Sequence, residues 1–206
     1  DSGVALDGSS GTYVTLPGLD LDAWSGTAFT IEVCATIAAG GGGTNSRLFD
    51  FGPSAATYMA LAASTALLAN TPLFAMTEGG TTTYVYHGDS IAGVSACWAA
   101  TSALELYQDG VLLSDACAGA CDVTLTTADM VGANYYVGKS HGASDAYLDA
   151  TIRAVRVSPA VLGAAKEPAK SMSKHVLCYW AQLGSQPSRF QNTFRALGRS
   201  WGASQV

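Results

Sequence analysis

The sequence predicts an all-β protein, an antiparallel β-sandwich followed by a short C-terminal extension. Two observations predict the sandwich: many short runs of β-branched and aromatic residues, and clusters of Gly, Pro and Ser between them. The composition agrees, because 49% of the 206 residues are hydrophobic and only 13% are charged. Disordered chains need low hydrophobicity and high charge, and coiled coils need far more Lys, Glu and Leu, so both classes are excluded.

The predicted strands follow one another at short intervals. They lie at 12–16, 28–37, 47–51, 57–62, 81–86, 103–108, 111–114, 122–126, 134–138 and 147–157. Alternation is clearest in 103–108, where Leu104, Leu106 and Gln108 are expected to face away from Ala103, Glu105 and Tyr107. The Asp109-Gly110 step between two strands is a strong hairpin signal. Strands at this spacing favour a sandwich over βαβ units.

Charged residues are distributed unevenly along the chain. Residues 1–152 contain two bases, Arg47 and Lys139, and fifteen acids, whereas residues 153–206 contain eight bases and one acid, Glu167. The net charge of −6 thus conceals an acidic body of −13 and a basic segment of +7. Either this is a surface fluctuation, or the basic tail docks on an acidic body, its own or a neighbour's. An acidic body repels phosphates, so nucleic acid is not an expected partner.

Two domains are predicted, a sandwich over residues 1–163 and a basic extension over 164–206. The extension begins with a polar linker, continues as an apolar strand at about 176–183 and ends in a helix at about 188–199. Ser188 and Gln191 have the spacing of a capping box at the start of that helix. The apolar side chains of the helix recur on one face, at Phe190, Phe194, Leu197 and Trp201.

The cysteines and the low charge predict a secreted protein with disulfide bonds. None of the five cysteines forms a paired CxxC arrangement, so a zinc site is not expected. The chain starts with Asp1, from which we expect that a leader was removed or that the sequence begins inside a longer protein. The uncharged run 51–77 contains Gly52, Pro53, Asn70 and Pro72, which argue against a membrane helix.

Several motifs, in this order, resemble the laminin-G-like and concanavalin-A-like jelly rolls over about residues 3–163. They are Ala5-Leu6-Asp7-Gly8, Tyr13-Val14-Thr15-Leu16-Pro17, Phe29-Thr30-Ile31, Leu48-Phe49-Asp50-Phe51-Gly52, Leu104-Glu105-Leu106-Tyr107-Gln108-Asp109-Gly110-Val111, Tyr136-Val137-Gly138 and Ile152-Arg153-Ala154-Val155-Arg156-Val157. Each motif mostly encodes strands and turns, and their order makes the resemblance specific. It implies a jelly-roll sandwich, to which the predicted extension adds one strand and a short helix.

The placement of two cysteines is similar to that of the inter-strand disulfide of pentraxins, which share this sandwich. The resemblance therefore implies a Cys34–Cys97 disulfide. Two alternatives stay open for the others: Cys117 with Cys121, leaving Cys178 over, or Cys117 with Cys178.

The consecutive Glu, Gln and Asp of the pentraxin calcium site are missing here, so no cofactor is carried over. Four loop carboxylates remain as candidate calcium ligands, Asp20, Asp22, Asp145 and Asp149, and solvated side chains are the simpler interpretation of them.

The sequence favours a protein without catalytic activity. Related jelly-roll glycosidases align two or three carboxylates along one strand, and no Glu-x-Asp-x-Glu pattern occurs. The three histidines, His87, His141 and His175, lie in unrelated contexts, and no nucleophile-elbow motif accompanies them.

The first functional hypothesis is a structural or adhesive subunit of an extracellular fibre or coat, which self-associates through its extension. The strand at 176–183 is additional to the sandwich and apolar on both faces, so its own domain or a neighbour must cover it. The residues expected to mediate assembly are Val176, Leu177, Cys178, Tyr179, Trp180, Phe190, Phe194, Arg195, Arg199 and Trp201.

The second hypothesis is a lectin-like module that binds carbohydrate. Trp24, Tyr58, Tyr84 and Tyr86 are its candidate residues for stacking on sugars. For each one singly, packing in the core or on a sheet is the simpler interpretation.

Overall fold

The computed structural model describes residues 3–16, 28–113 and 134–158, and the backbone of 117–119 and 177–179. These residues form two antiparallel sheets packed face to face, which confirms the predicted β-sandwich. No helix in the described part is long and apolar enough to span a bilayer. The predicted helix at 188–199, the linker, and the predicted strand at 122–126 lie outside the described residues.

Sheet A carries the chain's N-terminal strand at one edge. Its order is β1 (Val4–Asp7), β13 (Asp149–Ser158), β3 (Thr30–Ile37), β8 (Ser95–Thr101), β9 (Glu105–Gln108) and β10 (Val111–Leu112). A further strand, β14 (Leu177–Tyr179), pairs with β13 beyond the end of β1.

Sheet B supplies the other layer of the sandwich. Its order is β11 (Cys117–Gly119), β7 (Thr81–Tyr86), β6 (Leu73–Glu78), β5 (Thr57–Ala62), β4 (Arg47–Ser54), β12 (Asn134–Val137) and β2 (Val14–Leu16).

The core lies between the sheets and follows the period-2 alternation of the strands. On β3 the residues Ile31, Val33, Ala35 and Ile37 all face inward and are buried. Phe49, Phe51, Phe74 and Trp98 fill the space between the sheets. The side chains that alternate with these residues point outward, so each sheet has an outer face of its own.

The predicted strands differ from the structure in several places. The strands β1, β6, β8 and β11 were not among those predicted; β6 follows Pro72, and β8 is rich in alanine, a poor strand former. The strand predicted at 103–108 starts only at Glu105, because Leu104 has a left-handed backbone with φ of 57°. The predicted hairpin is present: Asp109 and Gly110 have φ of 50° and 81°, as a two-residue turn requires.

The disulfide implied by the resemblance is present in sheet A. Cys34 and Cys97 are direct cross-strand partners on β3 and β8 and are covalently linked. Cys117 has only its backbone described, and Cys121 lies outside the described residues, so the pairing of Cys117, Cys121 and Cys178 stays a prediction.

The strand predicted in the extension lies on its own sandwich over three residues. Leu177, Cys178 and Tyr179 pair through their backbones with Val157, Arg156 and Val155 of β13. Of the other proposed assembly residues, Val176, Trp180, Phe190, Phe194, Arg195, Arg199 and Trp201 lie outside the described residues.

Replacing both Cys34 and Cys97 by Ala should lower the free energy of unfolding by about 3–4 kcal/mol, because the cross-link closes a long loop in the unfolded chain. Denaturant titration of the variant and the parent measures this difference. The double variant Thr36→Ala/Ser95→Ala is the matched control, since it removes a neighbouring cross-strand hydroxyl pair on the same two strands and should cost less than about 1 kcal/mol. Equal losses in the two variants would contradict a dominant role for the disulfide.

Candidate functional site

The outer face of sheet B has a floor of small side chains bordered by tyrosines and charged groups. One row of cross-strand partners runs Tyr136, Asp50, Ala60, Ala75 and Tyr84, and the next runs Arg47, Ala62, Leu73 and Tyr86. Strands in a sheet are about 4.8 Å apart, so Asp50 on β4 and Tyr84 on β7 are separated by about 14 Å. The face is therefore wide enough for a sugar of two or three rings.

Three of the four aromatic residues predicted to stack on sugars share this face. Tyr58 lies on β5, and Tyr84 and Tyr86 lie on β7, with the rings of the latter two 6.4 Å apart. Tyr84 and Tyr86 pack against a small apolar cluster that includes Leu73 and Leu68. All three tyrosines are half-buried, while Trp24 lies outside the described residues.

Asp50 is a buried carboxylate at the border of this face. The strand alternates, so Phe49 and Phe51 enter the core and Asp50 points outward, yet it is only 1% exposed. Asp50 accepts hydrogen bonds from the backbone N–H of His141 at 3.1 Å and pairs with His141 Nδ1 at 2.7 Å. Arg47 adds an ion pair, with Nε 4.0 Å from Asp50 Oδ2. These contacts offset the cost of burying the charge.

His141 is held above Asp50 by a compact loop between β12 and β13. Asp145 organises this loop, because its carboxylate accepts hydrogen bonds from Ser140 Oγ at 2.6 Å and from Asn45 Nδ2 at 2.9 Å. Ser140 Oγ in turn accepts the backbone N–H of Gly142 at 3.0 Å. A Cβ at position 142 would lie 2.6 Å from the Asp145 carboxylate, so the loop needs glycine there.

His141 has one ring nitrogen that forms no hydrogen bond with a described residue. Its Nδ1 faces Asp50, so Nε2 lies on the opposite edge of the ring, where it is buried and lacks a hydrogen-bond partner. The side chain as a whole is 8% exposed. A proton on Nδ1, donated to Asp50, leaves Nε2 as an acceptor for a donor group of a ligand.

A group of tyrosines continues the face beyond His141. The rings of Tyr136 and His141 are 4.9 Å apart, and Tyr13 contacts both Tyr136 and Tyr147 at 6.0 Å. The Nζ of Lys139 lies 4.6 Å from the ring centroid of Tyr13 and 4.7 Å from that of Tyr136. Such cation–π contacts hold the ammonium group at a defined place, and no carboxylate of the described residues forms an ion pair with it.

A tight turn before β2 positions Tyr13. The Asp7 carboxylate accepts hydrogen bonds from Thr12 Oγ1 at 2.6 Å and from the Ser9 backbone N–H at 2.9 Å. The bond from Thr12 has the largest effect, followed by those from Ser9. Together they favour the charged carboxylate and lower the pKa of Asp7 from 3.8 to about 2. The turn is thus fixed one residue before the ring that borders the face.

The four candidate calcium ligands are not brought together among the described residues. The Asp145 oxygens accept hydrogen bonds from Ser140 and Asn45, Asp149 is exposed on β13, and Asp20 and Asp22 lie outside the described residues. The one described cluster with three groups of metal-ligand type is Glu32 with Cys34 and Cys97. Both sulfurs of that cluster are in the disulfide and offer no thiolate.

Four residues of the site were not predicted from the sequence: Arg47, Asp50, His141 and Lys139. Two signals were available for them. Asp50 interrupts an apolar strand, and a buried charge requires a partner. Arg47 and Lys139 are the only Lys or Arg among the first 152 residues.

Comparison with known proteins finds similarity at the level of structure alone. No family model matches the chain, and no curated protein matches by sequence. The carbohydrate-binding module CBM40 of the Ruminococcus gnavus IT-sialidase superposes with a TM-score of 0.58 and 13% identity, over 80% of this chain and 93% of that one. The same module bound to α2,3-sialyllactose gives a TM-score of 0.58 at 12% identity, over 80% of this chain and 92% of that one.

Two further structures share the sandwich over part of their length. The LG4-5 domains of the mouse laminin α1 chain superpose with a TM-score of 0.53 and 17% identity, over 76% of this chain and 40% of that one. The NanB sialidase of Streptococcus pneumoniae superposes with a TM-score of 0.56 and 13% identity, over 79% of this chain. The match covers 26% of the sialidase, so this chain spans about a quarter of its length. At these identities the likeness concerns the fold, and the chain has the laminin-G-like, concanavalin-A-like jelly-roll fold.

Proposed function

We propose that this protein is an extracellular module without catalytic activity that binds oligosaccharides on the outer face of sheet B. The observation that carries the proposal is the buried, unpartnered Nε2 of His141, on a face that also presents Tyr84, Tyr86 and Tyr136. A sugar ring has apolar C–H faces and a rim of hydroxyls. Such a ligand is complementary to a surface that combines aromatic rings with a few fixed polar groups.

The alanines of the floor are covered by neighbouring side chains. Ala60 and Ala75 are 0% and 5% exposed, and Tyr84 and Tyr86 pack against the cluster that contains Ala75, so a sugar would stack on these rings at the surface of the face. Gly52 extends the floor: a Cβ there would lie 2.4 Å from the carbonyl oxygen of Thr57.

The structural neighbours support a binding role and an extracellular place. Those that superpose over most of their own length carry the name of a carbohydrate-binding module, and one is named as bound to sialyllactose. The laminin domains and the Cys34–Cys97 disulfide are typical of extracellular proteins. The sialidases match this chain over a quarter of their length, so their catalytic activity is not transferred to it.

Replacing Tyr84 by Ala should weaken glycan binding by about tenfold, because one aromatic contact is worth about 1 kcal/mol beyond its buried area. A glycan array identifies the ligand, and isothermal titration calorimetry compares the variant with the parent. Val111→Ala is the control: Val111 is an exposed apolar residue of β10 at the far edge of sheet A. Absence of binding across the array, or equal losses in the two variants, would contradict the proposal.

A second candidate function is self-association through the extension, as a subunit of a fibre or surface coat. It would arise by exchange of β14: the edge of β13 that pairs with the β14 strand of its own chain would accept the β14 strand of another copy with the same hydrogen bonds. The opposite charges of residues 1–152 and 153–206 also favour contact between a body and another copy's tail. Head-to-tail contacts of this kind generate filaments when the rotation between copies does not close.

Replacing both Leu177 and Cys178 by Pro should abolish assembly, because alternate N–H groups of an antiparallel strand bond the same neighbour, so one of two successive prolines removes a bond to β13. Leu177→Ala/Cys178→Ala keeps both backbone N–H groups and is the matched control. Light scattering and electron microscopy of the parent and both variants measure the result. A parent that remains a monodisperse monomer at all concentrations, like a chain lacking residues 164–206, would refute self-association.

A further inference from the structure

We propose that the oligosaccharide bound on the outer face of sheet B is anionic, with its carboxylate or sulfate group held by Arg47 and attracted by Lys139. The inference rests on the proposed function and specifies its ligand. Four described residues are Lys or Arg. Two of them, Arg153 and Arg156, lie in sheet A, and the other two, Arg47 and Lys139, lie together beside sheet B. Solubility alone does not require the second pair to lie at one place.

The two bases of β13 are engaged within sheet A. Arg156 forms an ion pair with Glu32 on the neighbouring strand β3. Arg153 donates hydrogen bonds to the carbonyl oxygens of Ala35 and Ala96 at 3.4 Å and 3.3 Å. Both residues therefore have structural partners in the sheet that they belong to.

The other two bases lie at one corner of sheet B, on either side of His141. A continuous series of contacts joins them: Lys139 to Tyr136, Tyr136 to His141, His141 to Asp50, and Asp50 to Arg47. Every Lys and Arg of the first 152 residues is thus placed beside the proposed ligand-binding face.

Arg47 has bonding capacity left for a ligand. Its contact with Asp50 is an ion pair at 4.0 Å, longer than a hydrogen bond, and its buried Nε has no hydrogen-bond partner among the described residues. The planar guanidinium group carries five N–H donors in a geometry that matches carboxylate, sulfate and phosphate. Its side chain is 11% exposed, so a ligand would meet a largely desolvated cation.

The two cations of this corner differ in how closely a carboxylate compensates them. Asp50 lies 4.0 Å from Arg47, and the Asp145 carboxylate belongs to the same loop as His141, where it accepts hydrogen bonds from Ser140 and Asn45. No described carboxylate lies within 4.0 Å of Lys139, which the rings of Tyr13 and Tyr136 hold in place. The acids elsewhere in the body do not cancel the field of these cations at short range, because the Debye length at physiological ionic strength is about 8 Å. A local anion site can therefore operate on a protein whose net charge is −6.

His141 adds a second requirement to the ligand. With Nδ1 protonated and directed to Asp50, Nε2 accepts a hydrogen bond, so the ligand must place a hydroxyl or amide donor near its anionic group. A free sulfate or chloride ion lacks that donor. An acidic sugar has both, since a ring hydroxyl or an N-acyl N–H accompanies its carboxylate or sulfate.

The test uses an array of acidic glycans, each printed beside its neutral core, with sialylated and uronic acid glycans in one arm and sulfated glycans in another. The full-length chain should bind acidic members at least about tenfold more tightly than their cores, as expected for charge-assisted hydrogen bonds. The arm that binds identifies carboxylate or sulfate as the recognised group. Equal binding to acidic glycans and to their cores overturns the inference and leaves the proposed function standing. Absence of binding to any glycan overturns both.

Charge-removing variants locate the site. Arg47→Gln should lower the affinity for the acidic glycan by about ten- to hundredfold and that for the neutral core by clearly less, with a smaller loss for the acidic glycan in Lys139→Gln. Arg156→Gln removes the same charge from sheet A and should leave both affinities unchanged. Thermal melts establish that each variant is folded. If Arg47→Gln unfolds, Lys139→Gln tests the site in its place, because it breaks no ion pair among the described residues. A loss in Arg156→Gln as large as in the sheet B variants would overturn the inference.

Discussion

The buried carboxylate of Asp50 is the constraint on which the candidate site depends. A strand that contributes Phe49 and Phe51 to the core must direct Asp50 to the outer face, where it is nevertheless buried and needs compensation. The backbone and ring of His141 and the guanidinium of Arg47 supply that compensation. The contacts that compensate Asp50 therefore also fix the loop from β12 to β13, the orientation of the His141 ring and the position of Arg47.

The stabilising features and the candidate site lie on different sheets. Sheet A contains the disulfide, the Arg156–Glu32 ion pair and the edge that accepts β14, and these features serve stability and chain pairing. Sheet B carries the tyrosines, His141 and the two remaining bases on its outer face. Binding chemistry on one sheet can thus vary while the covalent link on the other maintains the fold.

The sandwich could be predicted from the sequence because strands and turns are local signals. The alternation along β3 and the Asp109-Gly110 hairpin are visible within a few residues. The alanine-rich β8 lacks such a signal, and its place follows from packing against β3. The tyrosines of the site were visible as residue types, but the pairing of Asp50 with His141 joins residues 91 positions apart. That contact depends on the register of β4 and β12, which no local pattern specifies.

The central claim is that ligand binds on the outer face of sheet B. It is tested most directly by adding glycan to isotope-labelled protein and mapping the changes in NMR chemical shift. The account predicts that the largest changes cluster on His141, Arg47, Tyr84 and Tyr136, with the Nε2 resonance of His141 among the most affected. Changes confined to sheet A, around Glu32, Arg156 and the disulfide, would contradict it.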